Sequence, residues 1–270
     1  MRLFDAHNHL QDQWLAPHLP QVLDALAHIG IAGAVVNGTI DSDWDAVSRL
    51  ARDHAWIIPS YGIHPWRVKE RASDWETLLR AKLDQGGVIG EIGLDRWKEG
   101  FDFEDQEKVF RLQLQLAAER NLPATIHCLR AWGALWDIIR TESVPACGFL
   151  LHAYGGPVEM IEGFVARGAY FSFNGSFLAE PRQKKRDTFL HIPLNRLLVE
   201  TDAPAMPLPP ELDRYALPAT PDGDPVNHPA NLTVAYKGIA TLRGIQLEEL
   251  ATLAEKNFQR LFCASDHRRG

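Results

Sequence analysis

The sequence predicts an α/β protein of the (β/α)8 TIM barrel class, and three observations carry that prediction. Short apolar or β-branched runs alternate with longer amphipathic segments, the pattern of repeated βα units around a parallel sheet. Eight such runs occur, the number that closes a barrel. Ionisable residues recur at the carboxyl ends of many runs rather than at one switch point, and no G-x-G-x-x-G follows the first. Both facts count against an open doubly wound sheet.

The expected strands are 3–6, 32–37, 57–61, 87–91, 123–127, 148–152, 169–174 and 196–202. The expected helices between them are 20–29, 43–54, 74–85, 104–121, 132–142, 157–167 and 182–191. The strongest is 104–121, with Phe110, Leu114 and Ala117 on one face and Asn121 as its stop. Prolines at 204, 207, 209, 210, 218, 221, 225 and 229 forbid regular structure after the eighth strand, so a long loop is expected over the carboxyl-end mouth. Two closing helices, 230–242 and 248–262, follow. One domain of residues 1–264 is expected, with 265–270 a frayed tail.

Composition narrows the class. A chain of 270 residues that is 46% hydrophobic buries a large core without disulfides. Cys128, Cys147 and Cys263 are odd in number and form no C-x-x-C pair, which suits a reducing cytosol. The N-terminus enters a strand with no signal-like leader, and no apolar run is long enough to span a membrane, so a cytoplasmic protein is expected. A net charge of −7 argues against a broad basic surface that coats nucleic acid, but leaves room for a local cationic cleft. Divalent cations would also hold a compact anionic substrate. Nothing marks an obligate protein partner.

The chemistry gathers at the strand ends. His7 and His9 stand two apart after Leu3-Phe4, so on an extended segment both imidazoles point the same way. His64 follows the third strand, Glu91 ends the fourth, His127 the fifth, His152 the sixth and Asp202 the eighth. Nitrogen and oxygen ligands of this kind suit two divalent ions such as Mg, Mn or Zn, with a carboxylate able to bridge them. Such a pair activates water and stabilises the oxygens of a displacement at phosphorus or carbon.

These residues carry a resemblance. F-D-A-H-N-H-L at 4–10, G-I-H-P at 62–65, G-E-I-G-L-D at 90–95, A-T-I-H at 124–127, L-L-H-A at 150–153 and V-E-T-D-A-P at 199–204 together resemble the TatD family of metal-dependent deoxyribonucleases, within the amidohydrolase-like barrels. The likeness runs from 4 to about 262, including E-K-N-F-Q-R-L-F at its end. It implies that His7, His9 and Asp202 bind one metal, that His127 and His152 bind the second, and that Glu91 bridges them. It also implies that Asp202 accepts the proton of the nucleophilic water, and that His64 supports the site or contacts a substrate phosphate. The implied activity is metal-dependent hydrolysis of DNA phosphodiester bonds, as an exonuclease. Two departures stand out: the arginine after the fifth strand, Arg130, is displaced by one residue, and Val226-Asn227-His228-Pro229 lacks the arginine of an R-N-x-P pattern.

Three loops at the mouth pair cations with aromatics: Trp66, Arg67 and Lys69; Arg96, Trp97 and Lys98; Arg130 and Trp132. Indoles stack on unpaired bases while Arg and Lys neutralise phosphates, which fits a short groove for single-stranded DNA or frayed ends. Cys128 alternates away from His127 and is expected to pack, and the run 182–186 reads as a solvated charged face. Two other readings share this centre: hydrolysis of a small phosphoester, lactone or amide, and a catalytically idle metal-binding protein.

Overall fold

A computed structural model describes residues 1–263; the expected tail, 265–270, lies outside the described residues. Its strands are β1 (Leu3–Asn8), β2 (Ile31–Asn37), β3 (Ile57–Tyr61), β4 (Val88–Asp95), β5 (Ala124–Leu129), β6 (Phe149–Leu151), β7 (Ala169–Asn174) and β8 (Leu197–Glu200). Each pairs in parallel with the next, in the order β1 to β8. The seam between β8 and β1 is closed less regularly. Asp202 N donates to His7 O at 2.9 Å and His9 N to Ala203 O at 2.8 Å. Below them the buried Asp5 carboxylate accepts from Thr201 N at 3.0 Å and Thr201 Oγ1 at 2.6 Å. The result is a nearly closed (β/α)8 barrel.

The helices are α1 (Leu19–Ile29), α2 (Trp44–Asp53), α3 (Trp75–Asp84), α4 (Phe103–Arg120), α5 (Trp132–Thr141), α6 (Ile161–Ala166), α7 (Gln183–Thr188), α8 (Leu232–Arg243) and α9 (Leu247–Phe262). The longest, α4, has the ends its sequence implies: Asp102 accepts from Asp105 N at 3.1 Å, and Asn121 turns left-handed at φ 49°. Both α6 and α7 are shorter than expected, because each is entered through a tighter 3-10 turn, Val158–Met160 and Glu180–Arg182. Pro157 precedes the first turn and Pro181 sits inside the second. None of the described helices is long and apolar enough to cross a membrane.

The barrel interior changes character along its axis. At the amino-terminal end Phe4, Ala6, Val35, Val88, Leu150, Tyr170 and Leu198 form an apolar cluster, with Phe258, Leu261 and Phe262 of α9 packed against it. Two residues further along each strand the same face carries Asn37, Ser172 and Glu200, joined by Ser60, Thr125 and Asn174, all wholly buried. Two more residues bring the mouth. Gly90 sits inside the polar layer because nothing larger fits: a Cβ there would lie 2.8 Å from both Ser60 Oγ and Thr125 Cβ. Gly93 is tighter still, with φ 148° and a would-be Cβ 1.9 Å from His127 O. The two glycines that flank Glu91 therefore let β4 press against its neighbours and aim that carboxylate into the mouth. Cys128 faces the helices in the main core, where burial raises its thiol pKa.

Candidate metal centre

His7, His9, His64, Glu91, His127, His152 and Asp202 converge at the carboxyl ends of six strands, all buried except the half-buried His127. The two oxygens of Glu91 face different groups. Oε2 lies 3.3 Å from His7 Nε2 and 3.2 Å from His9 Nε2. Asp202 Oδ1 is 3.4 Å from each of those nitrogens, which are themselves 3.1 Å apart. Ligand atoms held about 2.0–2.1 Å from one ion in a tetrahedron stand about 3.3–3.4 Å from one another. This first group therefore has the spacing that one small divalent cation requires.

Glu91 Oε1 belongs to a second group, 3.1 Å from His127 Nδ1 and 2.9 Å from His152 Nε2, with those nitrogens 3.3 Å apart. Three protein ligand atoms leave positions for water or substrate. The groups abut, since the rings of His7 and His152 stack at 4.0 Å.

The far nitrogens of these rings fix which atoms face inward. His9 Nδ1 donates to Asn37 O at 2.7 Å, so Nε2 presents its lone pair to the first group. His127 is turned the other way: Nε2 bonds Asp95 Oδ2 at 2.9 Å, which leaves Nδ1 for the second group. His152 Nδ1 lies 3.5 Å from Glu200 Oε1. His64 differs from all three. Its Nδ1 accepts from Trp66 N at 3.1 Å, which puts the proton on Nε2, 3.4 Å from Glu91 Oε1. In that tautomer His64 is a hydrogen-bond donor at the mouth and not a ligand.

Electrostatics give the same picture. Burial alone would raise the Glu91 pKa, but the charges of His64, His152 and His7 and the bond from His127 hold it well below the carboxylate range. Asp202 is likewise desolvated yet depressed by His7 and His9. Burial opposes the charged form of His9 and His152, but carboxylates overcome it: Asp202 and Glu91 at His9, Glu91 and Glu200 at His152, and both pKa values rise. His64 goes the other way, pushed down to about 4 by burial, so it is neutral near pH 7. Two anionic carboxylates hold positive charge on the imidazoles around them, and a divalent cation taken up by these nitrogen and oxygen donors would displace those protons.

Three supporting residues escaped the sequence reading as site members: Asp95, Glu200 and Asn227. Asp95 Oδ2 accepts from Trp66 Nε1 at 2.9 Å as well as meeting His127, while Oδ1 accepts from Trp97 N at 2.6 Å. Glu200 accepts from Ser172 Oγ and from Asn174 Nδ2 at 3.2 Å. Asn227 Nδ2 donates to Thr201 O at 2.9 Å, tying the proline-rich loop to the residue before Asp202. For two of them the signal was spacing: Asp95 is four residues past Glu91, and Glu200 ends β8 two residues before Asp202.

At the rim, Trp66 stands edge-on to His64 and 6.3 Å from Trp97, with Lys98 Nζ 4.1 Å from its ring centre. Trp97 is 48% exposed. Arg67 pairs with Glu70, Arg96 lies on the face of Phe103, and Arg130 is exposed. Trp132 packs against Tyr154 and Phe164, so it roofs the helix layer rather than facing the mouth.

The sequence matches the family described as TatD related DNase over residues 4–263. The chain belongs to that family. Among TatD relatives, a Shigella flexneri protein named 3'-5' ssDNA/RNA exonuclease TatD is 30% identical, over 96% of this chain and 98% of that protein. The Escherichia coli protein YcfH, an uncharacterized metal-dependent hydrolase, is 33% identical over 157 residues, 58% of this chain and 55% of its own; the chain thus spans about half the length of that relative. Among solved structures, the E. coli TatD homolog YjjV superposes with a TM-score of 0.86 at 25% identity, covering 97% of this chain and 98% of that one.

Proposed function

We propose that this TatD-family protein is a divalent-metal-dependent exonuclease that hydrolyses phosphodiester bonds of single-stranded DNA or frayed DNA ends. The observation that carries the reading is the division of the two Glu91 oxygens between separate ligand groups, the arrangement of a bridging carboxylate. His7, His9, Glu91 and Asp202 would hold one ion, and Glu91, His127 and His152 the other. Divalent ions supply water activation and offset of developing negative charge when bound.

The side chains do the rest. Asp202, kept anionic by His7 and His9, takes the proton of the attacking water through the oxygen not directed at those rings. His64, neutral with its proton on Nε2, donates to a phosphate oxygen. Asp95 fixes the His127 ring and the Trp66 indole at once, so ligand group and base platform share one anchor. Trp66 and Trp97 offer faces for a terminal base, with Lys98 beside them for its phosphate. The activity named for the Shigella relative is of this class and extends the substrate range to RNA.

The test is cleavage of end-labelled single- and double-stranded oligonucleotides, beside a small phosphodiester, with Mg, Mn or Zn. Stepwise shortening of the single strand, abolished by a chelator and restored by one metal, is the expected result. Turnover of the small diester with every oligonucleotide left intact would overturn the nuclease reading.

A further inference from the structure

The charged run after β7 is only partly a solvated face. Lys184 is exposed, but Arg182 and Lys185 are half-buried. Arg182 Nη1 donates at 2.6 Å to Ser176 Oγ, a buried hydroxyl two residues past Asn174, whose amide bonds Thr201 O beside Asp202. The Lys185 side chain lies along Gly155, three residues past His152: a methyl group on Gly155 would meet Cε at 3.3 Å and Nζ at 3.5 Å. Arg130 is exposed three residues past His127. Arg130 follows β5, and Arg182 and Lys185 both follow β7, with β6 between those strands; none of the three makes an ion pair with a carboxylate among the described residues. Burial and then the charges of Arg182 and Arg130 depress the Lys185 pKa, so these groups feel one another. Like charges gathered beside an anion-processing site, with no protein counter-charge, leave an anion to balance them.

We propose that Arg130, Arg182 and Lys185 form a phosphate subsite that holds a backbone phosphate of a single-stranded nucleic acid beyond the scissile one. It rests on the nuclease reading and adds direction to it: bases lie on the Trp66–Trp97 side of the mouth and the next phosphate on the β5–β7 side. Gly155 has a part in this placement, because a methyl group there would press on the lysine stem and shift it by a few tenths of an ångström.

The experiment uses the metal-loaded full chain with Arg182→Gln, Lys185→Gln and the double variant. Substrates are bis(4-nitrophenyl) phosphate, which has one phosphate, and DNA single strands of two, five and ten nucleotides. The loss of kcat/KM in the double variant is expected to grow from the one-phosphate diester to the longer strands, reaching about tenfold through KM. The dependence of log(1/KM) on log salt should shallow by about 0.7 for each charge removed, and Lys185→Arg should restore it. Lys185→Gln removes no hydrogen bond to the fold, so it carries the test if loss of the Arg182–Ser176 bond destabilises the other variants. An equal loss on every substrate, or unchanged KM and salt slope in Lys185→Gln, overturns the subsite while leaving the nuclease reading intact. A wild-type protein that turns over the diester but no strand overturns the reading itself, and the subsite with it.

Discussion

The floor of the mouth and its rim are built in opposite ways. On the floor, side chains from six strands are buried and most are fixed at both ends: His127 between Glu91 and Asp95, His9 between Glu91 and Asn37. On the rim, Trp97, Arg67, Arg96 and Arg130 are exposed and held by single contacts or none that bear on the site. The difference follows from what each has to do. Ligand atoms that share an ion must be placed within tenths of an ångström, and rigid strands do that. A polymer that slides through needs faces and charges that tolerate every base.

The largest expected effect breaks the floor. Glu91→Gln keeps the shape but replaces one shared oxygen with an N–H donor, so one ligand group loses its common atom. Supporting residues around metal ligands are each worth about 10- to 100-fold. Loss of the shared ligand should exceed about 100-fold in turnover, with metal content falling in parallel by elemental analysis. Asp202→Asn should cost about 10²- to 10⁴-fold in kcat, the range for a proton acceptor, while the second ion is retained. Turnover unchanged in both variants would sink the two-group scheme.

Next in size is an acidic residue that joins floor to rim. Asp95→Asn can face its oxygen toward His127 and Trp66 only by turning its NH2 against the Trp97 N–H, or the reverse, so it should lower activity about 10- to 100-fold and raise KM for single strands as well. An effect on kcat alone would show that Trp66 keeps its position without Asp95, and the joint role would be wrong.

The contrast also decides what could be read from the sequence. Eight strands were legible because short apolar runs between amphipathic segments report strands buried on both faces of a barrel, and the ligand groups were legible because each ends a strand. Glu91 shows the limit. Its position was plain, but that its two oxygens face separate groups depends on the close approach of β4 to β5 at Gly93, which no periodicity reports. Trp132 and Trp66 looked alike as aromatic neighbours of a histidine loop. One packs against Tyr154 and the other against His64, a choice made by the paths of the loops. Arg182 and Lys185 were hidden for the same reason: a charge run on a short helix says nothing about which side meets Gly155.

A smaller effect sharpens the rim. Trp97→Ala removes an exposed indole that carries no ligand, and stacking on one base is worth about 1–3 kcal/mol. KM for single-stranded DNA should rise accordingly with kcat retained, while turnover of a one-phosphate diester sees little change. A loss of kcat with KM unchanged would mean that the indole supports the floor instead.

The smallest effect on turnover belongs to a histidine that is neither floor nor rim. His228 Nδ1 accepts from Ala230 N at 2.9 Å, capping the turn that leads into α8, and this bond needs the neutral ring. Burial lowers its pKa from 6.5 to about 4, against a weak opposing pull from Asp213. Because the folded value lies below the unfolded one, the ring's contribution is fully present above about pH 6.5 and is lost as pH falls toward 4. His228→Asn keeps a capping oxygen but removes the titration. Its unfolding free energy, compared with that of the wild type at fixed metal concentration, should lose less between pH 6.5 and 4. Parallel stability curves over that window would show that protonation of His228 does not loosen the anchor of the proline-rich loop. In that case Asn227, through its bond to Thr201 O, is the tie that holds the loop beside Asp202.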